Sequence, residues 1–323
     1  MLSLNISECT GFNIHRSGWN YCISSLKPFH SSHGVFVDGF VEDNFSWKIE
    51  NYYYKDSHHI PYTRDWIGFV HNPPNPPEWF DNYNSPEALF SRDVFRKSLD
   101  HCLALVCLSD YLADWVKSKC DAPVISVKHP TATNINKWEP DKFLYKERPE
   151  LVQVGYWLRR MFSICEVNVP YPFIKKWLPS NYDYANLLLD FEKRTFLHPS
   201  DNKARWSGVE MLERIPDKDY DEMMTSCIVF LDLYDSSANN AVIECIARNT
   251  PLLVNRHPAV VEYCGEDYPL YFDNLDHAFE LICNFDKIFA AHECFKSMDK
   301  RWISGSYFAN DLTTKLERVI SCS

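Results

Sequence analysis

Glycine is scarce in this chain, nine residues of 323, and the scarcity bears directly on phosphate chemistry. Neither a GxxxxGK run ending in Ser or Thr nor a GxGxxG run occurs. Both patterns use glycine to bring backbone close to phosphate, so their absence excludes the common triphosphate loop and a standard dinucleotide fingerprint. Positive charge is also short: the formal net charge is -11, which suits neither nucleic acid nor an anionic membrane as the main partner. No apolar run approaches the roughly 20 residues that a membrane helix needs. The opening, MLSLNISECTGFNIHR, has no basic start and no long apolar core, so no signal peptide is expected and the chain reads as cytoplasmic. Twelve cysteines are present without a CxxC pair. In contexts such as LALVCLSDYL and AVIECIA they read as buried thiols of a reducing compartment, and zinc is not expected.

What is there is a folding composition, 46% hydrophobic and 15% aromatic, at a length that suits two domains. Short β-rich apolar runs alternate with stretches of helical spacing, the pattern of α/β layers. Strands are expected at 34–38, 66–71, 104–108 and 124–127, then at 151–154, 228–233, 251–255 and 270–272. Helices are expected at 19–27, 85–98 and 110–118, with a last one over 307–320 after a Gly-Ser break. The polar stretch 136–149, with two prolines, reads as a hinge. The second domain is expected to begin near Pro149.

The run IVFLDLYDSSANNAVIECIARNTPLLVNR, 228–256, places small polar residues between a buried strand and a helix through about Arg248. Such a helix start offers free N–H groups and a positive dipole end at the strand's carboxyl end, where open α/β sheets bind ligands. Asn239, Asn240 and Ala241 can offer backbone donors to a diphosphate, and Glu244, one turn in, can accept from ribose hydroxyls. The competing reading is local: Glu244 complements the helix dipole, and Ser236 or Asn239 is an N-cap.

The segment NAVIECIARNTPLLVNRHPAVVEY resembles the nucleotide-sugar segment of retaining glycosyltransferases of the GT-B fold (glycosyl transferases group 1, family 4-like). Their pattern is an acid, a small-residue loop, then E-A-x-A-x-G-x-P and a strand, with a further Glu downstream where Glu262 stands. The resemblance implies that Glu244 holds the ribose. The family's first acid, which reaches the transferred sugar, falls on Ser236, with Asp235 the nearest carboxylate, and the usual loop glycines are replaced by Ala238 and Asn239. The loop from Ser236 and Ser237 onward is the implied donor site.

Further stretches match the family's layout. In VQVGYWLRRMFSI, Gly155, Arg159 and Arg160 stand where a strand-end glycine and basic residues neutralise the leaving diphosphate, a task for guanidinium forks. An exposed arginine pair is the plainer alternative. Gly18 precedes a helix, as in the family's loop near the donor phosphate. His71 ends a strand, like the family's histidine near the sugar hydroxyls, or is a structural histidine. The prolines 73, 74, 76 and 77 then stiffen a loop whose Trp79 and Phe80 can stack on a sugar ring; a polyproline ligand is the other reading. His58-His59 and His129 lack a second ligand at metal spacing.

The resemblance implies two Rossmann-like domains facing across a cleft: 1–148 for the acceptor, 149–305 for the donor, and a helix at 306–323 crossing back onto the first. It implies hexosyl or deoxyhexosyl transfer from a nucleotide-sugar donor to a glycan or other hydroxyl acceptor, with retention. No cofactor is expected. No metal is expected either, because Asp232 and Asp235 lie three apart and form no DxD at the strand end, leaving the arginines and the helix end to stabilise the leaving group. Alternatives are an inactive GT-B glycan- or nucleotide-binding protein, and a nucleotide-sugar epimerase or phosphorylase on the same scaffold.

Overall fold

The computed structural model describes residues 2–9, 18–49, 59–179, 181–196 and 208–322. The chain divides into two compact units. The first comprises Met1–Pro76, Asp81–Ala132 and Lys300–Ser323, the second Pro77–Phe80 and Thr133–Asp299.

Among the described residues the first unit holds a parallel sheet of five strands in the order β1-β2-β3-β4-β5. They are β1 (Leu4–Asn5), β2 (Val35–Asp38), β3 (Trp66–Val70), β4 (Cys102–Cys107) and β5 (Val124–Ser126). Every residue of β3 is buried, as expected of a parallel strand covered on both faces. Phe36, Phe45, Tyr62, Trp66, Phe95 and Leu112 pack into one core cluster. Helices α1 (Trp19–Ser25), α2 (Pro86–Ser91), α3 (Asp93–Leu99) and α4 (Asp110–Lys117) flank the strands. The helix expected over 85–98 is two: Arg92 adopts an extended conformation, φ -77° and ψ 128°, between α2 and α3.

The second unit's sheet runs β11-β10-β9-β6-β7-β8, all parallel. Its strands are β6 (Glu150–Val154), β7 (Ile174–Leu178), β8 (Val209–Met211), β9 (Cys227–Leu231), β10 (Leu252–Asn255) and β11 (Tyr271–Phe272). The chain steps outward from β6 through β7 to β8, then returns beside β6 as β9 and steps the other way. This is the doubly wound order, and its reversal lies between β6 and β9. Around the sheet lie α5 (Tyr182–Thr195), α6 (Asp217–Met224), α7 (Asn240–Arg248), α8 (Pro258–Cys264), α9 (Leu275–Cys283) and α10 (Phe285–Ser297).

The polar stretch expected as a hinge is fastened to this unit. Trp138 is buried; its N–H donates to Arg248 O and its Nε1 to Cys227 O, at 2.8 and 2.9 Å. Lys137 Nζ donates to Ala247 O at 2.6 Å. A cation at the last carbonyls of α7 complements the helix's negative end, and Asn249 closes that helix with a left-handed φ of 60°, a conformation asparagine tolerates.

The last helix, α11 (Gly305–Cys322), belongs to the first unit and packs on α1 and β4. Gly305 permits that approach: a Cβ there would strike Ser25 Oγ. Cys22, Cys102, Cys107, Cys227, Cys245 and Cys264 are free and buried, and Cys283 is free and exposed. No helix among the described residues is long and apolar enough to cross a membrane.

Candidate functional site

The reversal between β6 and β9 leaves a crevice at their carboxyl ends, and the loops that follow these two strands line it. Gly155 follows β6 with φ +79°, where a side chain is strained and a Cβ would lie 3.2 Å from Arg159 Cζ. Its carbonyl accepts from Trp177 Nε1 at 2.9 Å, so the sheet itself fixes the turn.

The two loops are laced together. Arg160 N donates to Asp232 O at 2.7 Å and Tyr234 N to Leu158 O at 2.9 Å. Arg159 and Leu233 form an antiparallel bridge. Leu158 holds φ 55° to make this pairing, a conformation that costs a branched residue about 1 kcal/mol. On the far side, Asn255 at the end of β10 exchanges two hydrogen bonds with the Leu233 backbone, at 2.8 and 2.9 Å.

The predicted arginines differ in role. Arg159 is half-buried: Nε donates to Val154 O at 3.0 Å, Nη1 to Trp157 O, and Nη2 to Asn239 Oδ1 at 3.2 Å. Burial lowers its pKa to about 10, so it remains a cation at neutral pH. Arg160 is exposed, with Nη1 3.5 Å from Asp232 Oδ2. Asp232 is buried, accepts from Ser163 Oγ at 2.5 Å, and is shifted upward by that burial.

Asn239 is the N-cap of α7; its Oδ1 accepts from Ala241 N at 3.1 Å. Arg159 thus reaches the very residue that starts the helix. Asn240 is exposed, whereas Ser236 and Ser237 are buried, and Ser236 Oγ donates to Ser237 O at 3.1 Å. Asp235 is turned inward at 2% exposure. Its Oδ1 accepts from Ser236 N at 2.8 Å and lies 2.9 Å from His257 Nε2. His257 caps α8, with Nδ1 accepting from Ala259 N at 3.2 Å. That bond leaves the ring proton on Nε2, aimed at Asp235.

Glu244 is buried on α7, and its Oε2 accepts from Tyr220 Oη of α6 at 2.5 Å. Burial, with Glu244 next, pushes the Tyr220 hydroxyl well above its usual pKa. The closely spaced Asp217, Asp219 and Asp221 lie on α6, and Asp221 is paired with Arg248 at 2.5 Å. Among the described residues no group of three or more His, Cys, Asp or Glu could hold a metal ion.

In the first unit, His71 follows β3. Its Nε2 donates to Gly39 O at 2.9 Å, its ring stacks on Phe40 at 3.8 Å, and Trp19 meets it edge-on at 4.4 Å. Burial lowers its pKa to about 3, so it is a neutral ring with an acceptor at Nδ1 and not a proton-carrying base. Glu42 Oε1 holds the turn by accepting from the N–H groups of His71 and Asn72, both at 2.8 Å; burial raises its pKa to about 7. Gly18 caps the seven-residue α1 with φ -84° and ψ 177°, a conformation that makes no demand for glycine. Residues 10–17 of its loop, with Tyr52 to Tyr54 and His58, lie outside the described residues. A cavity of about 300 Å³ opens beside β2, lined by Asp38, Phe40, Asp43, Asn44 and Lys48 among others.

The aromatic expectation for the proline-rich loop needs correction. Phe80 is buried edge-on to Trp157 at 5.1 Å, so it offers no open face. Trp79 packs edge-on to Tyr234 at 5.3 Å. Pro73 and Pro74 are buried, which removes the polyproline ligand reading.

Sequence reasoning missed His257, Tyr220 and Asn255. The His-Pro pair after β10 carries a signal, since proline favours the first helical position and the residue before it caps. Tyr220 and Glu244 lie on different helices, and nothing in their spacing announces the bond.

No protein-family model and no curated protein matches this sequence. Solved structures match in fold. Anabaena HepE, in complex with UDP and glucose, has a TM-score of 0.62 over 88% of this chain and 78% of its own, at 11% identity. The α,α-trehalose 6-phosphate synthase of Burkholderia multivorans has a TM-score of 0.55 over 89% and 72%, at 11% identity. The trehalose-6-phosphate synthase OtsA has 0.54 over 95% and 78%, at 10%. The chain has the fold of these GT-B proteins, two parallel-sheet α/β domains.

Proposed function

We propose that this chain is a glycosyltransferase that moves a hexosyl or deoxyhexosyl unit from a nucleotide-sugar donor, a UDP-sugar in the first instance, to a hydroxyl of a glycan acceptor. The observation that carries the reading is the lacing of two loops at the β6/β9 reversal, which brings Arg160, the Arg159 side chain and the start of α7 to one crevice. UDP is favoured because HepE is seen with UDP-glucose and a Burkholderia vietnamiensis neighbour is a UDP-forming synthase.

In such a transfer the bond between sugar and diphosphate breaks, with negative charge building on the leaving oxygen. Arg160 and the positive end of α7 are the charge-stabilising groups in this reading, although the Ala241 N–H expected to meet the diphosphate is taken by the Asn239 cap, and Arg159 adds its field while bracing the turn. Metal independence is part of the proposal. Asp232 is engaged by Ser163 and Arg160, and Asp235 by His257 and the Ser236 N–H, which leaves these carboxylates poorly placed as ligands. With Asp235 turned inward and Ser236 and Ser237 also buried, contact to the transferred sugar falls to the loop backbone. Retention follows the family resemblance, and the acceptor is assigned to the first unit. Buried free thiols support a reducing, cytoplasmic compartment.

The test is a thermal-shift panel of UDP, GDP, dTDP, ADP and CMP, each with and without EDTA, followed by nucleotide release from the matching nucleotide-sugars. A shift with one nucleotide that survives EDTA, with release from its sugar, is the expected result. A shift without release leaves a binding protein, and no shift with any nucleotide overturns the reading.

Glu244→Gln tests the ribose assignment. Glutamine keeps an acceptor for Tyr220 Oη, so the fold should hold, but it lacks the charge that strengthens a bond to ribose. UDP affinity should fall by about 1.5–3 kcal/mol, the worth of a hydrogen bond to a charged group. Unchanged affinity in calorimetry would leave Glu244 as a partner of Tyr220 alone.

A further inference from the structure

A buried carboxylate that the transfer chemistry does not use lies beneath the crevice. Glu192, near the end of α5, is 2% exposed. Its Oε2 accepts from Met161 N at 2.9 Å, in the segment after β6, and its Oε1 accepts from Tyr234 Oη at 2.9 Å, in the segment after β9. One side chain from a third element therefore grips both crevice loops, next to the backbone pairs Arg160–Asp232 and Tyr234–Leu158.

We propose that Glu192 is a positioning residue of the donor crevice, clamping the loop after β6 to the loop after β9 so that Arg160 and the start of α7 meet the diphosphate together. The assignment rests on the nucleotide-sugar reading above. A carboxylate suits the task because only the ionised form accepts on both oxygens while donating nothing. Arg160 is the charged group facing it from the first loop and Tyr234 the titratable group from the second, with Asp232 beyond. Burial raises the Glu192 pKa to about 7, against the bonds from Tyr234 and the Met161 and Phe162 N–H groups. As pH falls through that value the acid takes a proton and one arm of the clamp must reverse or let go.

Glu192→Gln is the shape-conserving test, since an amide has one acceptor where the clamp needs two. Tyr234→Phe removes one arm and leaves Glu192 in place, so a fold failure of either variant leaves the other informative. UDP dissociation constants are measured at pH 8 and pH 6 on the wild type and both variants. Amide exchange of residues 156–163 is measured in the absence of nucleotide. UDP titrates in this range too, so Glu192→Gln serves as the baseline. Its dissociation constant should exceed that of the wild type about tenfold at pH 8 and approach it at pH 6, where only about a tenth of the wild type holds the ionised clamp. Tyr234→Phe should lie between. Protection of 156–163 should fall in the wild type at pH 6 and in Glu192→Gln at both pH values.

A ratio that stays the same at both pH values, or equal affinities throughout, overturns the proposal. Should the wild type bind no UDP at either pH, the donor-site reading fails by itself, and the exchange arm decides the clamp. Protection that follows the Glu192 charge sustains it; protection indifferent to both pH and substitution overturns it.

Discussion

Replacing Arg159 and Arg160 together by alanine should lower the rate of sugar transfer about a hundredfold to a thousandfold, the loss seen when one preorganised charge-stabilising donor is removed from an active site. The two residues contribute differently, and the single variants separate them. Arg160 is exposed and its contact to Asp232 is 3.5 Å long, so Arg160→Ala should depress turnover with little change in the thermal midpoint. Arg159 holds three acceptors, at the end of β6 and in the two loops, so Arg159→Ala should lower both stability and nucleotide affinity. Initial rates of nucleotide release, with the donor that the thermal panel identifies, provide the readout. A fully active double variant would remove both arginines from the chemistry.

Arg248→Ala should destabilise the second unit by about 3–5 kcal/mol, the range for breaking a buried ion pair from one side. Its side chain is fully buried, donates to Asp221 Oδ1 at 2.5 Å and to Asn136 O at 3.3 Å, and lies at the end of the helix whose start lines the crevice. Deleting it breaks the ion pair with Asp221, frees the Asn136 carbonyl, and opens a cavity. Urea unfolding followed by far-UV circular dichroism gives the number. Arg248→Met with Asp221→Asn should recover part of the loss, because it fills the volume and removes the buried cation and its counter-charge together. A single-variant loss below about 1 kcal/mol would mean that solvent reaches the pair.

Much of the fold was legible in the sequence. Eight expected strands appear as β2 to β6 and β9 to β11 within one or two residues at each end, because covered parallel strands read as continuous apolar runs. Three strands among the described residues escaped. Leu4–Asn5 is two residues long, IKKWL carries lysines in a strand only partly buried, and Val209–Met211 is a three-residue edge strand. None of these makes an apolar run. The helix around Glu244 was legible from its caps and periodicity.

What the site does with those residues was less legible, because side-chain partners come from elements far apart in the chain. Glu192 and Met161 are separated by 31 positions, and Asp235 and His257 by 22. The inward turn of Asp235 follows from a histidine whose tautomer is set by a helix cap, a relation that only coordinates reveal. His71 stands one residue past the end of β3 rather than in it, burial makes it neutral, and Phe80 after it is packed away.

The scattered cysteines have a practical consequence. Cys22, Cys102 and Cys107 lie in the first unit, and Cys227, Cys245 and Cys264 in the second; all six are buried, their thiols pushed upward by desolvation. A thiolate is the species that alkylating reagents attack, so the native chain withholds both groups while Cys283 reacts from the surface. Each domain therefore carries its own chemical tally of opening. Mass spectrometry after a timed alkylation pulse reads the two independently, with no residue substituted.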